Sequence, residues 1–273
     1  MIPLLKIFFK AEGTKPWAVL ASLVLPQAFA ATCPARHNSR MPSSAESFRR
    51  SPYRCIKLST YFPVYDRVFS RFAGRPVTFV EVGVLDGGSL FMWRDFLGPQ
   101  ARIIGIDLNP AARRWVDHGF EIHIGNQADP AFWSAFFAQV GPIDAMLDDG
   151  GHTFEQQVVT AECVIPNIRD GGVLAVEDAH TSYMSAFNGP SRRSFLSYAK
   201  NVVDGINYRF SRFAGHKAHE KRVHSVQFYE SIVVFEVDSR LCVVPTIEDN
   251  GGQGFESRDF RYADSILDRF DRP

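Results

Sequence analysis

Two short clusters of acids and histidines are the residues with the most chemistry to offer. They are Asp148-Asp149-Gly150-Gly151-His152 and Glu177-Asp178-Ala179-His180. Each follows a short apolar run, 143–147 or 173–176, of the kind that forms a buried parallel strand. Neighbouring parallel strands end on one edge of a sheet, so the acids would gather there and repel one another unless a cation joined them. An oxygen-rich donor set suits a hard divalent ion, Mg²⁺ or Mn²⁺. Asp149, Glu177 and Asp178 are the candidate metal ligands. His152 is the candidate general base, because an imidazole titrates near neutrality and can take a hydroxyl proton. A metal ion would lower that hydroxyl's pKa and orient it. The alternative is a set of helix-capping acids in solvent. Two clusters at two strand ends favour the metal site.

A third constellation runs from Thr78 to Asp107, TFVEVGVLDGGSLFMWRDFLGPQARIIGID. A β-branched run at 78–82 predicts a strand, and Gly83, Gly87 and Gly88 predict a sharp turn with close backbone approach to a ligand. Ser89 is expected to cap the helix that follows, whose apolar side carries Leu90, Phe91, Trp93, Phe96 and Leu97. Residues 103–106 predict a second strand, with Asp107 at its carboxyl end. An acid about 20 residues past a glycine loop is where a doubly wound sheet holds a ribose. The loop is not G-x-G-x-x-G, and Glu81 precedes its first glycine. A carboxylate there disfavours a pyrophosphate and suits a cationic ligand. S-adenosylmethionine (SAM) carries a sulfonium and an ammonium, so the loop favours SAM over NAD. A tight strand-to-helix turn without a ligand is the plainer reading.

The elements that must position these residues follow a β-loop-α order. Residues 61–72 predict an amphipathic helix in which Tyr61 and Tyr65 read first as packing residues. Helices are expected from Asn109-Pro110, Asp129-Pro130 and Phe154, and strands over 120–124, 143–147 and 173–176. Two terminal strands, 226–229 and 231–237, predict a hairpin. The fold class is therefore α/β: a Rossmann-like, doubly wound, mostly parallel sheet with a C-terminal antiparallel hairpin. Residues 1–52 read as a signal-like or flexible extension, 53–245 as the catalytic domain and 246–273 as a tail.

Composition narrows the classes. The 273 residues are 45% hydrophobic and 22% charged, with zero formal net charge, so no bulk field draws the chain to nucleic acid or anionic membrane. The cysteines Cys33, Cys55, Cys163 and Cys242 lack CxxC spacing and read as reduced or buried thiols. Lys6, Lys10 and Lys15 precede an apolar run at 17–25 with Ala28-Phe29-Ala30 behind it, which has the layout of a secretory signal and is too short to span a membrane. The other reading is an unstructured extension, with Met41 as an alternative start. A SAM enzyme works where SAM is made, so a cytoplasmic location is expected, with secretion or the periplasm as the alternative. His216, His219 and His224 read as surface residues.

FVEVGVLDGGSL, IIGIDLNP, IGNQADPAFW, LDDGGHTFEQQ and AVEDAHTSY, in this order, resemble the class I SAM-dependent methyltransferases. More narrowly, the chain resembles the metal-dependent sugar O-methyltransferases of macrolide pathways (mycinamicin and macrocin type), over about residues 61–237. The resemblance implies SAM and Mg²⁺ as cofactors and a small glycoside as acceptor. It also implies that Glu81, Gly83, Gly87 and Ser89 line the SAM site and that Asp107 binds the ribose. Gln127 then lies near the adenine, Asp148 closes the pocket and Tyr61 reaches the cofactor. Asp149, Glu177 and Asp178 match the metal ligands, and His152 matches the base. Ala179 stands where those enzymes have Thr. Their Thr-Asp-Lys element before the tyrosine is not evident, and Arg54-Cys55-Ile56-Lys57 stands there; their large auxiliary N-terminal domain has no counterpart. A homo-oligomer is compatible with the resemblance. The alternatives are a cephalosporin-hydroxylase-like or catechol-type relative, a SAM-binding protein without catalysis and, last, a NAD-dependent oxidoreductase.

Overall fold

The structure is a computed structural model, which describes residues 41–208, 221–242 and 251–252. Residues 1–40 of the expected 1–52 extension, the histidines at 216 and 219 and nearly all of the 246–273 tail lie outside the described residues.

Seven strands form one sheet in the order β3-β2-β1-β4-β5-β7-β6. They are β1 (Thr78–Val82), β2 (Arg102–Asp107), β3 (Glu121–Ile124), β4 (Ile143–Asp148), β5 (Ile168–Val176), β6 (Val223–Tyr229) and β7 (Ile232–Val237). The first five pair in parallel, and β7 runs antiparallel to both β5 and β6. The chain starts at β1, goes outward to β2 and β3, then returns to β4 on the other side of β1. This reversal opens a crevice at the carboxyl ends of β1, β2 and β4, where doubly wound sheets bind ligands.

Helices cover both faces, as an all-parallel sheet core requires. α2 (Phe62–Phe69) and α3 (Gly88–Leu97) pack on the face that carries Phe79, Leu147 and Ala175. α4 (Pro130–Val140), α5 (Phe154–Val164) and α6 (Phe195–Tyr208) pack on the face that carries Val80, Met146 and Leu174. Side chains alternate along a strand, so Glu81 falls on the Phe79 face and Asp148 on the Met146 face. By the same alternation the residues after the strands, Asp149 and Glu177, turn toward α2 and α3. The pleat sorts the acids into two groups before any of them makes a contact. Trp93 and Phe79 are fully buried, with ring centroids 4.7 Å apart, and they anchor α3 to β1.

Three segments depart from the sequence expectation. Residues 44–50, expected in a mobile arm, form helix α1 (Ser44–Arg50), closed by a capping box between Ser43 and Glu46. The backbone N–H of Ser44 donates to Asp66 at 2.7 Å, tying α1 to α2. The segment Pro110–His118 winds as a 3₁₀ helix. Strand β5 begins at Ile168, ahead of the expected 173–176, and takes in Asp170, Gly171 and Gly172 through a register shift against β4. Ser89 is not the cap of α3. Gly87 holds that position at φ +79°, and Ser89 is the second residue of the helix. No helix among the described residues is long and apolar enough to cross a membrane.

An exposed clamp joins β2 to β3. The Arg102 guanidinium donates to both oxygens of Glu121 at 2.7 to 3.0 Å, and His123 meets Glu121 at 2.8 Å. Burial pushes the Glu121 carboxyl up, but the bonds from His123 and Arg102 outweigh that and hold it below its ordinary value of 4.5. A depressed carboxyl contributes stability above its unfolded pKa and loses it as pH falls through the folded value. Glu121→Gln should therefore cost under about 1 kcal/mol at neutral pH. That deficit should shrink toward zero below about pH 4. Urea unfolding of both proteins at the two pH values checks this, and a deficit unchanged in acid would contradict it.

Candidate active site at the carboxyl edge of the sheet

The parallel ladder continues one residue past the strand ends. Gly83 N–H donates to the Ile106 carbonyl at 2.8 Å, Gly125 to Asp107 at 3.0 Å, Asp149 to Val82 at 3.0 Å and Glu177 to Asp148 at 2.9 Å. The loops that carry the chemistry are thus fixed to the sheet by backbone bonds. They enclose a cavity of about 450 Å³. Its walls include Gly83, Asp107, Gln127, Asp149, His152 and Asp178. Gly83 permits the approach of β1 to β4, since a Cβ there would lie 2.1 Å from the Asp149 carbonyl oxygen. Asp107 orders the glycine loop by accepting the N–H groups of Val84 and Leu85 at 2.9 and 3.1 Å.

Asp149, His152 and Asp178 each offer a ligand atom, and those atoms lie within 4.8 Å of one another. His152 Nε2 is 3.5 Å from Asp178 Oδ2, while His152 Nδ1 is buried with no hydrogen-bond partner. Two carboxylates and an imidazole, half-buried on a cavity wall, fit a hard or borderline divalent ion. Leu85, His152 and Asp178 all line this cavity, and all have left-handed backbones at φ +46°, +61° and +54°. Each such residue costs on the order of 1–3 kcal/mol, and strain of this kind clusters where geometry matters for function.

Glu177 does not join that set. It is 1% exposed and faces the other way, onto a buried lysine. Lys57 Nζ lies 2.6 Å from Asp149 Oδ2, 3.1 and 3.2 Å from the two oxygens of Glu177, and 3.7 Å from Glu81. The Lys57 side chain is 1% exposed. Burial works against its charge, but Asp149 and Glu177 outweigh it and hold the ammonium protonated. Burial pushes Glu81 up to about 7, and burial with the Asp149 charge pushes Glu177 up as well. One ammonium does not neutralise two buried acids and a half-buried one, so the cluster retains a demand for positive charge.

Two tyrosines four residues apart, on the same side of α2, hold the adjacent acids. The Tyr65 hydroxyl donates to Glu177. The Tyr61 hydroxyl donates to Asp178 and meets Ser231 Oγ at 2.9 Å.

Several expected positions are corrected by this geometry. Glu81 is fully buried, accepts from Ser89 Oγ at 2.7 Å and Trp93 Nε1 at 3.1 Å, and does not line the cavity. Ser89 is spent on that bond. Tyr61 is 2% exposed and reaches Asp178, not the cavity. Gly87 sits against the Trp115 ring, which a Cβ would meet at 2.2 Å. Asp148 lies behind the wall: Gln127 donates to it at 2.9 Å and Gly150 N–H at 3.2 Å, while its Oδ2 has no partner. Burial pushes Asp148 up to about 6. Of the expected metal ligands, Asp149 and Asp178 lie on the cavity beside His152, and Glu177 is turned toward Lys57. Sequence reasoning missed Lys57 and Tyr65. Lys57 lies in an irregular segment with no periodicity to mark it, and Tyr65 reads as one more apolar-face aromatic. Their only signal is a cationic and a phenolic residue shortly before the first strand.

A seven-stranded sheet with one reversed strand and an acid-lined crevice at its switch point is the architecture of a doubly wound, nucleoside-binding α/β enzyme. Comparison with known proteins narrows the class. Residues 80–179 match the family described as methyltransferase domain. It is 30% identical over 192 residues to the 8-demethyl-8-alpha-L-rhamnosyl tetracenomycin-C 2'-O-methyltransferase of Streptomyces olivaceus, covering 66% of this chain and 50% of that protein. It is 29% identical to the mycinamicin VI 2''-O-methyltransferase of Micromonospora griseorubida, covering 56% and 41%. Among solved structures it is similar to the MycE methyltransferase of the mycinamycin biosynthetic pathway in complex with Mg, SAH and mycinamycin VI. That likeness has a TM-score of 0.68 at 25% identity and covers 81% of this chain and 58% of that one. The chain spans about half the length of the curated relatives it matches.

Gln127 tests how the wall is held. Its amide donates to Asp148 and Thr160, and its oxygen accepts from Gly151 N–H at 2.9 Å. Gln127→Leu strands buried groups on both sides and should cost about 1–3 kcal/mol. Thr160→Val, which removes one acceptor only, should cost less. Denaturant unfolding of the two variants checks the order.

Proposed function

We propose that this chain is a SAM-dependent, divalent-metal-assisted O-methyltransferase acting on a sugar hydroxyl of a small glycosylated molecule. The observation that carries the reading is the convergence of Asp149, His152 and Asp178 on the cavity that Gly83 and Asp107 also line. The methyltransferase domain match and the sugar O-methyltransferase relatives support the reaction class and the acceptor class. The MycE complexes hold SAH and Mg, which supports the two cofactors.

Each residue then has a defined task. Asp107 stands at the end of β2, where a ribose is held in this architecture. Gly83 leaves the room a nucleoside needs beside β1, and Gln127 with Gly151 forms the wall opposite. Asp149 and Asp178 would hold the divalent ion, which supplies Lewis-acid polarisation of an acceptor hydroxyl when bound. His152 takes the hydroxyl proton, and Asp178 at 3.5 Å stabilises the imidazolium that forms. The left-handed backbone at both residues sets their mutual orientation. The acceptor oxygen and the methyl donor share one cavity, so positioning contributes to the rate. SAM is a cytosolic metabolite, so the reaction belongs in the cytoplasm.

Calorimetric titration of the protein from Met41 with SAM, with Mg²⁺ and again with excess chelator, tests the cofactor. Binding in both conditions is expected, because the ion serves the acceptor; binding in neither overturns the reading. Glycosides are then assayed for methyl transfer with His152→Ala. That variant should keep its divalent-ion affinity and lose about 10²–10⁴-fold in rate. Loss of ion affinity instead would make His152 a ligand and remove it as the base.

A further inference from the structure

The sequence marks Gly87 and Gly88 for close approach to a ligand, yet neither lines the cavity at the strand ends. Both are spent on the walls of a second pocket, of about 510 Å³. A Cβ on Gly87 would lie 2.2 Å from the Trp115 ring, and one on Gly88 would lie 2.3 Å from the Arg54 carbonyl oxygen. The two glycines let residues 53–54 and the 110–118 helix close on the loop. Leu85 lines the cavity and Asp86, the next residue, lines the pocket, and no residue lines both. We propose that this pocket is a ligand site separate from the cavity, and that it takes a small ring bearing an oxyanion, with acidic sugars as the ligand class. The ring and the oxyanion follow from the pocket itself; the choice of a sugar rests on the methyltransferase reading above.

Three observations carry it. First, three rings meet in the pocket. The Tyr53 centroid lies 4.6 Å from Trp115 and 5.7 Å from His118, and Trp115 lies 5.4 Å from His118. Trp115 is 3% exposed and fixes the arrangement, while Tyr53 is 39% exposed and leaves aromatic surface on which a second ring can pack. Ser51 Oγ donates to the Gly88 carbonyl at 2.7 Å and anchors the segment that carries Tyr53. Second, the charge is one-sided. Arg54 and Arg114 stand against a single acid, Asp86. Guanidinium forks match a carboxylate or phosphate with two parallel hydrogen bonds. Third, both forks are available. The Arg114 guanidinium lies 4.7 Å from the Trp115 ring centroid and makes no ion pair among the described residues. Arg54 meets Asp86 only at 3.9 Å, with side chains 73% and 41% exposed, and an exposed pair of that kind is worth little. Turning either fork to a ligand therefore costs little. A neutral ring would leave the forks unused, and a bare anion would leave the rings unused.

The probes are glucuronate and glucose 6-phosphate, each titrated into the full chain and followed by ligand-observed NMR. At least one should bind with a Kd at or below about 1 mM, and the tighter of the two tells carboxylate from phosphate as the oxyanion. Glucose, a ring without the charge, and acetate, a charge without the ring, should each bind at least about tenfold more weakly. Arg114→Gln should weaken the acidic sugar at least about tenfold while its SAM affinity stays within about threefold of the unaltered protein. Arg54→Gln should weaken the acidic sugar in the same direction and keeps the test open if Arg114→Gln fails to fold. Saturating SAM should leave the acidic sugar's affinity unchanged, because the two sites share no lining residue. The proposal is overturned if neither acid binds, if acetate or glucose binds as tightly, if both arginine variants bind as the unaltered protein does, or if SAM displaces the sugar. Absence of SAM binding by the unaltered protein overturns the methyltransferase reading instead, and the acidic-sugar titrations still decide the pocket.

Discussion

Charge compensation at the carboxyl edge of the sheet is the constraint on which the site depends. Glu81, Asp148 and Glu177 are each no more than 1% exposed. An isolated carboxylate cannot stay ionised in such a place, so each must be paired, hydrogen-bonded or protonated. The protein uses different means on the two faces. On the α2–α3 face it inserts Lys57 among Glu81, Asp149 and Glu177 and adds the phenol of Tyr65. On the opposite face it satisfies one oxygen of Asp148 with Gln127 and a backbone amide. Breaking a buried pair by removing one partner costs about 3–5 kcal/mol, so Lys57 and the acids around it hold one another in place.

This compensation is incomplete, and the incompleteness is what makes a site. Asp149 and Asp178 are half-buried on the cavity wall, outside the fully buried group. They face His152 across a few ångströms, and His152 and Asp178 hold backbone positions that L-residues seldom adopt. The strained backbone and the remaining negative charge lie on the same wall. Both are stable only because the sheet ladder continues into the loops and leaves them no freedom to relax.

The relatives that the chain matches are named O-methyltransferases, and the chain spans about half their length. The family match over residues 80–179 includes the switch point and Asp148, Asp149, His152, Glu177 and Asp178.

Much of the fold was legible in the residues. The apolar β-branched runs, the glycine turns after them and the Asn-Pro and Asp-Pro helix starts mark a doubly wound sheet in sequence order. The position of Asp107, Asp149, His152 and Asp178 at strand ends follows from that order, because side-chain chemistry just past a buried parallel strand reaches the ligand edge. The helix at 44–50 was hidden by a composition that resembles a linker, although Ser43 and Glu46 carry its cap. What tertiary structure alone decided is which acid faces which partner. Strand alternation sends Glu81 and Glu177 toward α2 and Asp148 toward α5, and only the packed structure shows what waits on each side. Lys57 is 24 residues before Glu81 and 120 before Glu177. No local pattern links residues at that separation. Their pairing arises because folding closes a strap over the sheet edge, where burial makes an unpaired charge too costly to keep.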